Sequence, residues 1–242
     1  MKKILEIENI SKIYADGTKA LDGINLHVDE GEIFSLLGEN GAGKTTLIGT
    51  ICGMVQPTSG RNLVDGYDAW KEYRAARSRL ALVPQELALD PFVTVLQTIR
   101  YARGYFGEKK NPELFEKVLR DLSLWDKKDN KVEELSGGMK RRISIAKALM
   151  NEPRLLFLDE PSAGVDVELR KSMWEMIHEL RKNGMTIVLT THYLEEAEKH
   201  SDRIAFISAG RIKLVEEKME LMQKYSGMSL EDIFFELYSN IG

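Results

Sequence analysis

Cysteine is nearly absent: the 242-residue chain holds one, Cys52. No internal disulfide can form, and a reducing compartment is the natural reading. Cys52 sits in the apolar stretch Leu47 to Met54, which suits a buried, inert thiol rather than a nucleophile. Also missing is any run of about 18 or more apolar residues, the length a helix needs to span a bilayer. If a membrane is involved, another protein must supply it. The opening Met1-Lys2-Lys3-Ile4 passes at once into an alternation with Glu6 and Glu8, which is not the pattern of a signal peptide. There is no excess of positive charge either. The chain carries 34 basic against 38 acidic residues, a net charge of −4, which argues against nucleic acid as its partner. No internal repeat, low-complexity tract or linker stands out. What remains is 43% hydrophobic and 30% charged, enough for a sizeable core in one large domain or one domain with an insert.

Periodicity supplies the coarse architecture. Ile4 to Ile10 alternates as a strand does and Ala20 to Val28 does so loosely, with a turn at Tyr14-Ala15-Asp16-Gly17-Thr18 between them. Ile33 to Leu37 is a short apolar run leading into a glycine-rich loop. A helix then runs from Lys44 to Met54, stopped by Gly53 and Pro57. Arg79 to Val83 reads as a strand. From Gln85 to about Met150 the pattern turns helical. Thr94 to Phe106 is amphipathic, Asn111-Pro112 opens a helix through Leu122, and Ser136 caps one through Met150. Strands follow at Leu155–Leu158, Thr186–Thr190 and Ile204–Ser208, with a helix from Asp166 to Lys182 closed by Gly184. Ser229-x-x-Asp232 starts a last helix reaching Tyr238. This alternation predicts an α/β fold with a mostly parallel sheet, the middle helices forming an insertion.

Two motifs carry chemistry. Gly38-Glu39-Asn40-Gly41-Ala42-Gly43-Lys44-Thr45 fits G-x-x-x-x-G-K-[ST] between a strand and a helix, and Thr46 follows it. Glycines let backbone wrap closely around phosphate oxygens, and a helix N-terminus aims N–H groups at negative charge. Lys44 is placed to reach the β- and γ-phosphates, and the Thr45 hydroxyl suits Mg²⁺, which prefers oxygen ligands. The loop predicts a nucleoside triphosphate. The second motif, Leu155-Leu156-Phe157-Leu158-Asp159-Glu160, sets two acids after an apolar strand that reads as central, at the end where α/β sheets bind ligands. Asp159 is suited to orient Mg²⁺ through water, and Glu160 to polarise an attacking water as general base. An acidic turn that merely ends a strand is the competing reading of this pair.

Leu135-Ser136-Gly137-Gly138-Met139, shortly before that strand, completes the pattern. Two glycines at a helix start, with the Ser136 hydroxyl, offer either a simple cap or a second phosphate-binding surface. With these motifs in this order, the chain resembles an ABC-type nucleotide-binding domain over essentially its whole length. Met139 departs from it, standing where many members have glutamine. The resemblance implies a P-loop NTPase fold: an ABC-type ATPase core, an antiparallel N-terminal β subdomain and an inserted helical subdomain. The expected division is 1–85 with 153–215 as core, 86–152 as the helical insert, and 216–242 as a helical tail.

The resemblance also assigns roles. ATP is held by Gly38, Asn40, Gly41, Ala42, Gly43, Lys44, Thr45 and Thr46, with Mg²⁺ on Thr45, Gln85 and Asp159. Ser136, Gly137 and Gly138 close on the γ-phosphate held by a second subunit. Tyr14 matches the aromatic that stacks on adenine, though a core tyrosine at a turn fits the sequence comparably. Gln85 matches a glutamine that senses Mg²⁺ and links core to insert. Glu160 and His192 organise water and transition state, with Lys44 and Gln85 among the catalytic group. Asp166, in Ser162-Ala163-Gly164-Val165-Asp166, lies in a loop crossing the dimer interface and doubles as an N-cap. The remaining histidines, His27, His178 and His200, read as surface or packing residues. Lys140-Arg141-Arg142 reads as a solvated helix face. Segment Leu87 to Phe106, with Phe92, Tyr101, Tyr105 and Phe106, is expected either to meet a membrane partner or to pack internally. The implied protein is an ATPase that pairs as a homodimer under an integral membrane permease. It would lie peripherally on the cytoplasmic face, without bilayer insertion or nucleic acid. Leu-Ser-Gly-Gly-Met-Lys-Arg-Arg and Pro161 to Asp166 with Glu168-Leu169-Arg170 resemble the type-2 exporters of drugs or polysaccharides. An importer motor and a soluble ABC ATPase are the alternatives.

Overall fold

A computed structural model describes residues 2–162 and 167–239. Two sheets organise them. The first takes up the N-terminal alternation: β1 (Lys3–Ile13) and β2 (Lys19–Asp29) pair antiparallel across the predicted turn. After β3 (Ile33–Leu37) and helix α1 (Lys44–Ile51), the chain returns to that sheet with β4 (Ser59–Val64) and β5 (Tyr67–Asp68), giving the order β2-β1-β4-β5.

The second sheet carries the chemistry. Helix α2 (Tyr73–Arg79) leads into β6 (Leu80–Val83). Three helices follow, α3 (Val95–Tyr105), α4 (Pro112–Asp121) and α5 (Gly137–Leu149), before β7 (Leu155–Asp159). Then come α6 (Val167–Lys182), β8 (Thr186–Thr191), α7 (Leu194–His200), β9 (Arg203–Ser208) and β10 (Arg211–Glu217), closing with α8 (Lys218–Lys224) and α9 (Leu230–Ser239). The strand order is β10-β9-β3-β8-β7-β6, parallel throughout except for β10 at one edge. β7 lies inside the sheet, which is why its Leu-Leu-Phe-Leu run is wholly buried instead of alternating.

The helix starts follow their sequence signals. Thr94 and Gln97 form a reciprocal capping box, Asn111 caps α4 with Pro112 in its first turn, and Ser229 and Asp232 exchange hydrogen bonds before α9. Packing splits into two large cores on either face of the second sheet. One joins it to the first sheet and α1, through Phe34, Leu47 and Phe157; the other joins it to α3 through α6. A smaller cluster seats α8 and α9 against Phe206. Among the described residues no helix is long and apolar enough to cross a membrane.

Two expectations need correction. The helix after the glycine loop ends at Ile51 rather than Met54, because Gly53 adopts φ +70°. The basic run on α5 is not a solvated face: Arg141 is buried, 7% exposed, with its guanidinium on backbone carbonyls.

Candidate functional site

Strands β3, β8, β7 and β6 are neighbours and parallel, so their C-terminal ends share one edge of the sheet. Each delivers one part of the site. The glycine loop follows β3, His192 follows β8, Asp159 and Glu160 end β7, and Gln85 lies two residues beyond β6. A cleft of about 200 Å³ results, lined by Asn40, Gly41, Gly43, Lys44, Thr45, Thr46, Gln85, Asp159 and Glu160, together with Glu39 and Ala20.

The loop is shaped by its glycines at two points in particular. Gly43 sits at φ +109°, and a Cβ there would stand 2.7 Å from the Ala20 carbonyl. At Gly38 a Cβ would stand 2.4 Å from the Ile207 carbonyl. Larger residues would therefore push the loop off the sheet. Lys44 opens α1 with its side chain buried, its ammonium donating to the carbonyls of Gly38 at 2.6 Å and Glu39 at 3.1 Å. Burial holds the ammonium below the usual lysine range, while the carboxylates of Glu160 and Asp159 pull it back up.

The carboxylate pair is fixed from β8. The Thr190 hydroxyl donates to Asp159 Oδ1 at 2.5 Å, and the Glu160 amide donates to the Thr190 carbonyl and hydroxyl oxygens, both at 3.1 Å. Glu160 has φ +44°, a left-handed backbone that costs a non-glycine residue roughly 1 kcal/mol or more and persists where its surroundings hold it. One oxygen of that carboxylate, Oε2, accepts from Gln85 Nε2 at 3.2 Å and lies 3.4 Å from His192 Nδ1. Asp159, Glu160, Gln85 and His192 are thus brought together.

Tyr14 is 40% exposed, not a core residue. Its hydroxyl lies 3.3 Å from Thr46 Oγ1, and Lys12 Nζ stands 5.0 Å from its ring centroid. Ser136 is an N-cap, accepting from the Met139 amide at 3.3 Å. Ser136 and Gly137 are exposed, and none of Ser136, Gly137 and Gly138 lines this cleft. Asp166 lies outside the described residues.

The sequence reading missed several contributors. In the sequence Thr190 reads as an ordinary strand residue and Arg141 as part of a solvated helix face. The Ser162 hydroxyl donates to buried Glu196 on α7 at 2.5 Å; Glu196 pairs with Arg170 at 3.2 Å, and the Arg170 guanidinium lies over the Tyr193 ring beside His192. The Glu-Glu pair in α7 was the available signal, since a carboxylate on the helix after a site histidine has to find a partner once buried. Cys52 is buried, which pushes its thiol up to about 12 and makes it unreactive, as expected.

A second cleft of about 420 Å³ lies between α3, α5 and the segment after β6. Tyr101, Tyr105 and Phe106 line it, and Tyr105 is 89% exposed. Phe92 is also largely exposed, so these aromatics do not belong to the core.

Comparison with known proteins agrees with this geometry. The profile of the family described as ABC transporter matches residues 21–163. The Nod factor export ATP-binding protein I of Cupriavidus metallidurans is 38% identical over 237 residues, covering 97% of this chain and 78% of that protein. The linearmycin resistance ATP-binding protein LnrL of Bacillus subtilis is 39% identical over 230 residues, covering 93% of this chain and 72% of that protein. Among solved structures, a dimeric ATP-binding cassette in a post-hydrolysis state with ADP and Pi bound superposes with a TM-score of 0.77 at 26% identity. It covers 88% of this chain and 98% of that one.

Proposed function

Since this chain belongs to the ABC transporter family and is an ATP-binding, ATP-hydrolysing subunit of that kind, we propose that it drives export, by closing in pairs on ATP beneath a separate membrane permease. The observation that carries the pairing is the division of the phosphate-binding parts. The glycine loop, Lys44 and the carboxylates line one cleft, while the helix start at Ser136 to Gly138, exposed at Ser136 and Gly137, lies outside it. The cleft is also smaller than the ~300–1,000 Å³ of complete small-molecule sites, as expected of a half-site that another surface finishes.

In this reading the triphosphate lies along the amides from Gly38 to Thr46, with Lys44 neutralising its charge and adenine on the Tyr14 face opposite Lys12. The oxygen donors Thr45 and Asp159 in the cleft, with Gln85 beside them, fit Mg²⁺. Among the described residues no three histidine, cysteine or acidic side chains converge so as to hold a metal ion by themselves, and Mg²⁺ needs no such set, taking one or two carboxylates plus phosphate oxygens. When bound, that ion would offset charge on the phosphates. Glu160 accepts the proton of the attacking water, with Gln85 and His192 holding its carboxylate. Ser136 and Gly138 of the second copy meet the γ-phosphate. Because both copies touch it, the triphosphate favours the closed pair, and its loss releases them. Asp166 would lie in the loop between the copies.

Residues 86–152 act as an insert that carries motion to the permease, and the aromatic cleft of Tyr101, Tyr105 and Phe106 suits the docking of a permease loop. The core is 1–85 with 153–215, and 216–242 forms a tail. The subunit then works at the cytoplasmic face of the membrane. Export is favoured over import by relatives named for Nod factor export and linearmycin resistance. Phosphate release by purified Glu160→Gln tests the assignment of the base: turnover should fall about 10²–10⁴-fold, and unchanged turnover removes Glu160 from the role.

A further inference from the structure

Arg141 is the buried middle residue of the basic run on α5, and its two neighbours are half-buried and loosely held. Lys140 and Arg142 each make one long contact, at 3.4 Å, to the carbonyls of Glu133 and Leu122. The Arg141 guanidinium instead turns inward and spans three backbone carbonyls. Nη1 donates to Pro84 at 2.7 Å and to Gln85 at 3.0 Å, and Nη2 donates to Asp159 at 3.1 Å. A planar fork reaches two chain segments at once, which a lysine ammonium does not.

Those carbonyls are not arbitrary acceptors. Two belong to the loop that carries Gln85, and the third is the backbone of Asp159 itself, beside Glu160. Arg141 is four residues from Gly137, so it stands one turn below the exposed start of α5 on the same helix face. One side chain therefore links the backbone of this chain's own cleft to the helix whose tip lies outside that cleft. Burying a cation is costly, and an apolar side chain of similar size often serves stability as well or better. Burial lowers the guanidinium's proton affinity, with the Asp159 carboxylate opposing. The bridge thus pays a desolvation cost that core packing alone would not require.

We propose that Arg141 is a positioning residue that couples occupancy of the chain's own cleft to the placement of Ser136 and Gly138, and so to pairing with a second copy. The proposal rests on the two-copy reading above. A displacement of Gln85 and Asp159 when the cleft fills is passed through the guanidinium to α5 as a rigid unit. Without the fork, nucleotide still enters the cleft, but the tip of α5 no longer follows.

The test uses the full chain in a Glu160→Gln background, so that nucleotide persists. Affinity for a fluorescent ribose-labelled ATP is measured on dilute protein with Mg²⁺, and pairing is measured by sedimentation velocity. Arg141→Met should keep nucleotide affinity within about threefold while weakening pairing about tenfold or more. Arg141→Lys, which keeps the charge but not the fork, should show the same split to a smaller degree, and it decides the matter if the methionine variant does not fold. Unchanged pairing overturns the proposal. So does loss of nucleotide affinity by the same factor as pairing, which is what a purely structural residue would produce. If the Glu160→Gln parent fails to pair with Arg141 intact, the two-copy reading falls and takes the coupling with it.

Discussion

The Thr190 hydroxyl and the Asp159 carboxylate are joined by a 2.5 Å hydrogen bond between neighbouring parallel strands. The same hydroxyl oxygen accepts from the Glu160 amide. One buried threonine thereby orients both acids. Replacing it with valine, nearly the same shape, removes the two contacts while β8 keeps its strand. Thr190→Val should raise the Mg²⁺ concentration needed for half-maximal hydrolysis several-fold and cost about 1–3 kcal/mol of stability. Titration of ATPase activity with Mg²⁺, alongside thermal unfolding, checks both. An unaltered Mg²⁺ requirement would leave Thr190 with a structural role alone.

Tyr14 presents one ring face to Lys12 and its hydroxyl to Thr46. If adenine takes the other face, the ring rather than the hydroxyl matters. Tyr14→Phe should bind ATP nearly as the parent does. Tyr14→Ala should raise the dissociation constant about 3- to 10-fold, the worth of one aromatic stack. Binding of a fluorescent ATP analogue measures the difference, and equal loss in both variants would shift the role to the hydroxyl.

How much of this was legible in advance varied with the kind of signal. β3 matches its predicted span, Ile33 to Leu37, and the starts of α3, α4, α5 and α9 are written in short-range capping chemistry. The glycine loop and the acid pair were likewise local patterns. By contrast β4, β5, β10, α2 and α7 were missed, while α8 falls inside the expected helical tail without bounds of its own. β4 opens with Ser-Gly-Arg, which reads as a turn, and becomes a strand only by pairing with β1. α7 is seven residues long and acid-rich, too short for a helical period to emerge. Thr190 and Arg141 could not be singled out because their roles depend on which strand and loop lie across from them. A threonine in a strand and an arginine in a basic run look ordinary until the fold sets carbonyls and carboxylates against them.

The exposed aromatics on α3 predict a separation of activities. Tyr101 and Tyr105 line a cleft that shares no lining residue with the phosphate-loop cleft. Tyr101→Ala with Tyr105→Ala should leave hydrolysis by the isolated chain within about twofold, because exposed side chains contribute little to stability. The same pair should abolish co-purification with its membrane partner. Retained co-purification would place the docking surface elsewhere.

A pH dependence of stability follows from the histidine pair that joins α6 to the end of α7. His200 stacks on Trp174 and shares a 2.8 Å hydrogen bond with His178. Burial lowers the His200 pKa from 6.5 to about 4, and repulsion from His178, Lys199 and Lys218 adds to this. The folded value lies below the unfolded one, so between those pH values the unfolded chain holds more protons and stability rises with pH. The contribution is complete above about pH 6.5 and lost on falling toward pH 4, worth at most about 1–2 kcal/mol for a partly exposed ring. His200→Asn should narrow the drop in melting temperature between pH 7.5 and pH 5. An undiminished drop would assign it to other groups.

The central claim is that ATP holds two copies of this chain together and that hydrolysis lets them part. Sedimentation equilibrium of purified Glu160→Gln with Mg²⁺ and ATP tests it directly. The account predicts a species of about twice the 27.5 kDa chain mass that reverts to monomer when ADP replaces ATP. A chain that retains ATP yet stays monomeric at all accessible concentrations would contradict it.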